Sequence, residues 1–247
     1  MTQPNTQPVP YPFSLSVCMP AYNEEENLPA MIADVVATMQ PRFADFEIVV
    51  TNDGSKDRTG EVLRELAQQY PQLKPVDHAV NQGYGAAVFT ALSNASKEVI
   101  FFTDSDRQFR LEEVDKLVPL LDQGDIVAGY RAPRRDPFLR VLFGHGWSAL
   151  VTLLFGYTAR DIDCAFKMLR RATFQRVAPF IQSRGATFSA EWLVLSRRAG
   201  FRIVEVPVSH LPRRAGSPTG AKPHVIARAF RELWRFRLRL WREPPDL

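Results

Sequence analysis

Two carboxylates one residue apart close an apolar run near the middle of the chain. Lys97–Phe109 reads KEVIFFTDSDRQF, so the run Val99–Thr103 stops at Asp104, Ser105 and Asp106, with Gln108 just beyond. A run of that length and composition predicts a buried strand. Carboxylates at its C-terminal end would lie at the mouth of a parallel sheet, where open α/β folds bind ligands. Asp-x-Asp with a nearby amide oxygen suits a hard divalent cation, Mg2+ or Mn2+, held by Asp104, Asp106 and Gln108. So few protein oxygens imply that phosphate oxygens of a ligand complete the shell. Taken alone, the same residues read equally well as a solvated turn after a strand.

Two other acidic loops bear on that choice. PAYNEEENLP follows one apolar run and TNDGSKDRT follows another. In a doubly wound sheet both would line the crevice that Asp104 and Asp106 face. An Asp there can accept from a nucleobase N–H, and a Glu can hold a ribose hydroxyl. The plainer readings are a helix capping box of Asn23 with Glu26 and a turn at Asp53 before Gly54. The dinucleotide fingerprint GxGxxG after a first strand and the P-loop are both missing. A nucleotide held through a metal on its diphosphate fits the acidic loops better. Arg131, Arg134, Arg135 and Arg140, then Arg213, Arg214 and Lys222, offer cations for a second phosphate. A solvated basic face is the simpler reading for Arg134, Arg135 and Arg184. Arg131, beside a strand end, reads as functional.

The elements that must position these residues alternate. Strands are expected at Phe13–Met19, Phe46–Val50, Leu73–Val76, Val99–Thr103 and Asp125–Ala128. Between them lie helical patterns from Leu28 to Met39, from Val62 to Tyr70, from Ala87 to Leu92 after the turn of Gly83 and Gly85, and from Leu111 to Leu121. Such alternation predicts a doubly wound α/β sheet with parallel strands. Asn23 and Ser55 are the expected helix caps. Beyond Tyr130 the pattern changes to an apolar helix over Leu139–Phe155, a strand over Ala165–Leu169, a helix cap at Thr173, a helix over Ala190–Arg198 and an outer strand over Arg202–Val208.

A last helix starts at Pro223. It sets Ile226, Phe230, Leu233, Trp234, Leu240 and Trp241 on one face and Arg228, Arg231, Arg235, Arg239 and Arg242 on the other. A basic amphipathic helix with boundary tryptophans suits an anionic membrane surface. The charge distribution agrees. Residues 1–100 hold 6 basic and 12 acidic residues, whereas residues 197–247 hold 12 and 4. No run of apolar residues is long enough for a membrane span. MTQPNTQPVPYP lacks the make-up of a secretory signal, and Cys18 and Cys164 have no metal-ligand spacing. The expected organisation is a loose tail over 1–12, a catalytic domain over 13–212, and a basic loop with an amphipathic helix over 213–247. The expected location is cytoplasmic, peripheral to the inner face of the cell membrane. Nucleic acid is set aside because one face of the last helix is strongly apolar, and assembly into a homo-oligomer stays open.

In this order, VCMPAYNEEENLP, VVTNDGSKDRT, NQGYGAA and TDSDRQF resemble the motifs of family 2 glycosyltransferases with the GT-A fold. Within that family the chain looks most like the dolichol-phosphate mannose synthase and polyprenyl-phosphate glycosyltransferase group. The resemblance covers about Leu15 to Lys222. It implies a metal-dependent transfer of a hexose, mannose or glucose-type, from a nucleotide diphosphate sugar to a polyprenyl or dolichyl phosphate, with inversion. It implies that Pro20, Ala21, Tyr22, Glu24, Asp53, Gly83, Asp104, Ser105 and Asp106 hold the donor. It assigns Arg131, Arg140, Arg213 and Lys222 to the acceptor phosphate, and places Asp161 near the acceptor and Glu191 in a Phe-x-x-Glu helix. An acceptor phosphate needs no strong base, whereas a hydroxyl acceptor would make Asp161 or Asp163 the proton acceptor. A hydroxyl-acceptor enzyme and a non-catalytic nucleotide-sugar binder are the alternatives. The chain departs from the pattern at Ala165, where the family has Gly, and after Gly216, where Lys222 comes late.

Overall fold

The computed structural model describes residues 10–132, 138–212, 223–242 and 245–246. Strands β1 (Leu15–Ala21), β2 (Phe46–Asn52) and β4 (Val99–Thr103) are buried along their whole length. Their near-continuous apolar runs are what a sheet covered on both faces requires. With β3 (Leu73–Asp77), β5 (Ile126–Arg131), β6 (Phe166–Arg170) and β7 (Ile203–Val208) they form one sheet in the order β3-β2-β1-β4-β6-β5-β7. The chain steps outward from β1 to β2 and β3, then returns to the other side of β1 as β4. That reversal makes the C-terminal ends of β1 and β4 a topological switch point.

The expectation of parallel strands holds for the pairs β1–β2, β2–β3, β1–β4 and β5–β7. It fails at β6, which is antiparallel to both β4 and β5. The register gives the reason. Phe166 pairs with Thr103, so β6 starts at the edge where β4 ends. The long connection from β5 stays at that edge, and the next strand must run back the other way.

Helices α1 (Leu28–Met39), α2 (Thr59–Gln69) and α3 (Tyr84–Ser93) join the first four strands. None has a side-chain cap, so the expected caps at Asn23 and Ser55 do not form. Both side chains are used between loops instead: the Asn23 amide donates to Ser55 Oγ at 3.0 Å, and the Lys56 amide donates to Asn23 Oδ1 at 2.9 Å. The expected helix over Leu111–Leu121 is broken into a single α-turn, α4 (Val114–Leu117), between two 3-10 segments. Pro119, which lacks an N–H, sits in the second of these. Helix α5 (Phe138–Phe155) precedes β6, and α6 (Arg171–Val177) holds Thr173 inside its length rather than at its cap. Helix α7 (Phe188–Arg198) precedes the edge strand β7.

The last helix, α8 (Pro223–Arg242), starts where proline placed it. Its apolar residues do not share one face. Ala229, Leu233, Phe236 and Leu240 are buried, while Phe230, Trp234 and Trp241 are exposed among the arginines. Leu233, Phe236 and Leu240 join the main core, and Phe236 stacks on Phe155 of α5 with ring centres 5.0 Å apart.

Candidate active site

The Asp104–Asp106 loop is fastened to the sheet on two sides. Ser105 Oγ donates to the Pro20 carbonyl at 2.9 Å, which ties the loop to β1 across the switch point. Beyond it, the Leu211 amide donates to the Gln108 carbonyl at 2.7 Å and Gln108 Nε2 donates to the Leu211 carbonyl at 3.0 Å. A further bridge joins Phe109 to His210. Arg107 adopts φ +59°, a left-handed conformation that costs a side-chain-bearing residue energy. Its guanidinium is held by Asp34 of α1 at 2.7 Å. That twist lets Asp106 and Gln108 both turn inward, and both are buried. Asp106 Oδ1 accepts the Gln108 amide at 3.1 Å.

Tyr84, the residue between the two glycines of NQGYGAA, donates its hydroxyl to Asp104 Oδ1 at 3.0 Å. Burial of the hydroxyl end pushes the phenol well above the usual tyrosine range, although 41% of the residue faces solvent. The charges of Asp104, Asp163 and Asp106 add to the shift. Tyr84 therefore stays protonated as a donor beside the acidic pair. Nothing in the sequence singles it out except its place between Gly83 and Gly85.

The first two acidic loops are laced together. The Glu24 amide donates to Thr59 Oγ1 at 2.8 Å, and the Arg58 amide donates to Glu25 Oε2 at 2.8 Å. Glu24 Oε2 accepts from Asn27 Nδ2 at 2.6 Å. Asp53 is 2% exposed. Its carboxylate accepts the amides of Gln82 at 2.9 Å and Gly83 at 2.8 Å, and it meets His78 Nδ1 at 2.7 Å. Its amide donates to the Ala21 carbonyl at 2.9 Å. Asp53 thus binds the Gly83 turn to the ends of β1 and β2 from beneath. Gly54 follows at φ +60°, and a Cβ there would stand 2.4 Å from the Val80 carbonyl carbon, so only glycine fits.

At the end of β5, Arg131 and Asp161 form a buried bidentate pair, with Nε to Oδ2 at 2.7 Å and NH2 to Oδ1 at 2.8 Å. The Arg131 amide also donates to Asp161 Oδ2 at 3.2 Å. Lys167 of β6, fully buried, donates to the Ile162 carbonyl at 3.0 Å and to the Cys164 carbonyl. It fastens the turn that carries Asp161 and Asp163. Burial lowers the Lys167 pKa. Burial, then the charge of Asp161, raises the Cys164 thiol to about 12. Cys164 is therefore not a nucleophile.

Pro20, Ser105, Asp104, Asp106 and Gln108 share one rim, and Ala21, Asp53 and Gly83 are linked to it by hydrogen bonds. Tyr22 and Glu24 follow the end of β1, and Glu24 is bonded to Thr59 and Asn27. Arg131 and Asp161 lie at the neighbouring strand end. Arg140 belongs to α5, but its side chain lies outside the described residues, as do Arg134, Arg135, Arg213, Arg214 and Lys222. Pro212, where the described chain stops before Arg213, follows the residue bonded to Gln108. Arg184, read as a solvated cation, lies 4.3 Å above the Phe89 ring. His78, Tyr84 and Lys167 were not signalled by spacing.

Among the described residues no group of three His, Cys, Asp or Glu side chains gathers as a closed metal cage. The donor set that is present, two carboxylates and an amide at an open strand end, fits a hard cation whose remaining ligands come from elsewhere. A groove of about 400 Å³ between α3 and α6 is lined by Phe89, Leu92, Phe174 and Pro179 among others, and has no charged lining residue. It lacks the polar chemistry found at the Asp104 rim.

The family described as Glycosyl transferase family 2 matches residues 16–178. A dolichyl-phosphate beta-glucosyltransferase of Trichomonas vaginalis is 32% identical over 210 residues, covering 78% of this chain and 64% of the relative. An undecaprenyl-phosphate 4-deoxy-4-formamido-L-arabinose transferase of Edwardsiella ictaluri is 29% identical, covering 82% and 61%. The chain thus spans just under two thirds of the length of these curated relatives. Among solved structures, glucosyl-3-phosphoglycerate synthase from Mycobacterium tuberculosis, bound to phosphoglyceric acid, superposes with a TM-score of 0.69 at 18% identity, covering 91% of this chain and 80% of that one. A mannosyltransferase from Pyrobaculum calidifontis, in complex with GDP-Man and Mn2+, gives 0.63 at 18% identity, covering 92% and 74%.

Proposed function

The chain belongs to glycosyl transferase family 2, and from that premise we propose that it moves a hexose from a nucleotide diphosphate sugar to a polyprenyl phosphate. The observation that carries this reading is the Asp104–Asp106 loop, tied to Pro20 at the switch point, the place where open α/β folds bind their ligands. The named activities of the two curated relatives, both transfers to a polyprenyl-type phosphate, support the acceptor class.

Asp104 and Asp106, with the Gln108 amide oxygen, would hold Mg2+ or Mn2+. When bound, such an ion supplies positive charge to the leaving diphosphate. The rim made by Pro20, Ala21, Tyr22 and Glu24 takes the nucleoside. Asp53 and Gly83 shape its floor. The acceptor phosphate oxygen attacks the anomeric carbon from the face opposite the diphosphate, its bond forms as the C1–O bond to the diphosphate breaks, and configuration inverts. Arg131 orients that phosphate, with Arg140, Arg213 and Lys222 as further cations for it, and Asp161 fixes the plane of the Arg131 guanidinium. A carboxylate already engaged with an arginine in two charge-assisted bonds is a poor collector of a substrate proton. That counts against Asp161 as the base that a hydroxyl acceptor would need.

The acceptor is a lipid, so the protein must meet a bilayer. No helix among the described residues is long and apolar enough to cross one. The outer stripe of α8, with Phe230, Trp234 and Trp241 exposed among arginines, suits peripheral contact with the anionic inner face of a cell membrane.

The test is a transfer assay on the full chain with UDP-glucose and GDP-mannose, Mn2+ and a short-chain polyprenyl phosphate. The expected product is a polyprenyl-phosphate hexose of inverted anomeric configuration. Transfer only to the corresponding polyprenol or to sugar hydroxyls overturns the acceptor assignment.

A further inference from the structure

We infer that Arg239 of α8 is a positioning residue for the donor rim, acting through Glu191 and the 182–185 backbone on the glycine-rich turn before Tyr84. The inference rests on the donor role proposed for that rim. It begins at a buried carboxylate that the proposed chemistry does not use. Glu191, in the first turn of α7, is 1% exposed. Its oxygens accept the Gln182 amide at 3.0 Å and the Ser183 amide at 2.7 Å, and it is paired with the Arg239 guanidinium. A carboxylate buried this deeply needs a cation, and its removal leaves an uncompensated charge. Here the cation comes from the last helix, 48 residues further along.

The backbone that Glu191 holds is the wall against which α3 starts. The Arg184 carbonyl accepts the Ala86 amide at 2.9 Å. A Cβ at Gly83 would lie 2.9 Å from that carbonyl oxygen, and one at Gly85 would lie 2.5 Å from both the Gly185 oxygen and Phe188 Cβ. The two glycines are therefore needed for backbone to approach backbone here. Between them Tyr84 reaches Asp104. The path from Arg239 to the acidic pair thus runs through four contacts, each within hydrogen-bond range.

Helix α8 touches this wall at two more places along the same stripe. Thr187 Oγ1 donates to the Ala229 carbonyl at 3.2 Å, and a Cβ at Gly185 would lie 3.0 Å from Glu232 Oε2. Residues 229, 232 and 239 recur at helical spacing, so one face of α8 is built to seat on the 183–191 segment. The opposite stripe carries Phe230, Trp234 and Trp241 outward. A helix rigidly seated on the donor wall on one side, and suited to a bilayer on the other, makes donor affinity sensitive to how α8 is held.

The experiment compares the full chain with Arg239→Met, Arg239→Lys and Glu191→Gln by two measurements. Hydrogen exchange without ligand reads the 82–87 amides directly. Arg239→Met is expected to speed exchange there and at 182–184, with β2 and α1 unchanged, and Arg239→Lys to restore part of the protection. Donor binding with Mn2+ should weaken about 3- to 30-fold in Arg239→Met, with the KM for acceptor unchanged. Glu191→Gln, which avoids stranding a buried charge, should reproduce the direction of both effects. Native exchange at 82–87 in Arg239→Met, a uniform rise over the whole chain, or donor affinity equal to wild type overturns the inference. If exchange rises locally and the wild-type chain binds no nucleotide sugar, the proposed function fails while the seating of the turn by Arg239 stands.

Discussion

Two sets of carboxylates at opposite edges of the central sheet, Glu47 and the Asp104–Asp106 pair, sit in different surroundings. At the edge where the strands begin, Glu47 of β2 is 2% exposed and lies in register with Ser16 of β1. It accepts from Ser16 Oγ at 2.6 Å, from the Ser96 amide at 2.6 Å and from Ser96 Oγ at 2.8 Å, and it is paired with the Lys74 ammonium. Burial alone would raise its carboxyl, but the lysine and these donors together hold it at about 2. At the edge where the strands end, Asp104 takes a neutral phenol and Asp106 a neutral backbone amide. The first edge has its cation built in from Lys74. At the second edge a ligand and a divalent ion are proposed to bind Asp104 and Asp106. Glu47 thus reads as a structural carboxylate, whereas chemistry is proposed for Asp104 and Asp106.

The sharpest break in that comparison is Asp106→Ala. Turnover is expected to fall at least about 100-fold, as for loss of a group that meets charge in the transition state. The melting temperature should stay close to wild type, because the loop remains fastened by Ser105 and by Leu211. Steady-state rates beside thermal unfolding check this. Unfolding of the variant at low temperature would move Asp106 to the structural side of the comparison.

Glu47 should behave in the opposite way. Its folded pKa lies below the ordinary value of 4.5, so the group contributes stability that is fully present above that value and is lost as pH falls toward about 2. The contribution is about 2–3 kcal/mol after allowance for the half-exposed Lys74 partner. Glu47→Gln should lose about that much near neutral pH while activity per folded molecule is kept. Below the ordinary value the gap between variant and wild type should narrow. Denaturant midpoints recorded at pH 7 and pH 3 read the gap directly, and a gap that widens in acid contradicts the assignment.

The edges were also unequally legible from the sequence. Val99–Thr103 was expected as a strand and is one to the residue, because an apolar run cut off by Asp-Ser-Asp has no competing reading. Strand β6 was placed within a residue, but its direction depends on where the connection from β5 lies, and no local pattern encodes that. Asn23 and Ser55 have the residue types of helix caps, yet they bond each other's loops. A capping pattern states what a side chain can accept, not which of two nearby amides reaches it first. Arg239 lies on the polar side of a helical wheel, and only the burial of Glu191 draws it inward. The Asp-x-Asp loop stands out in the sequence because two carboxylates at that spacing close an apolar run. Lys167 and Tyr84 were not, because a lysine in a strand or a tyrosine in a glycine turn has many ordinary uses.

The smallest expected effect extends the comparison to α8, where Leu233, Phe236 and Leu240 find partners inside the chain and the outer stripe does not depend on them. Trp234 is 58% exposed and Trp241 74%, and Leu153 of α5 is 81% exposed. Removing α8 altogether would strip the core of three buried side chains, so a deletion cannot separate the two stripes. Trp234→Ser with Trp241→Ser changes only the outer one. Each exposed indole that enters a bilayer interface adds apolar burial, and the pair together is worth a modest part of the binding energy, on the order of a tenfold change in partitioning. The double variant should sediment less with vesicles containing anionic phospholipid, while thermal stability and turnover on a detergent-solubilised short-chain acceptor stay as in wild type. Equal sedimentation of variant and wild type would place the membrane contact elsewhere than on α8. Lost turnover on the solubilised acceptor would instead show that the outer stripe, like Arg239 beneath it, acts on the donor rim.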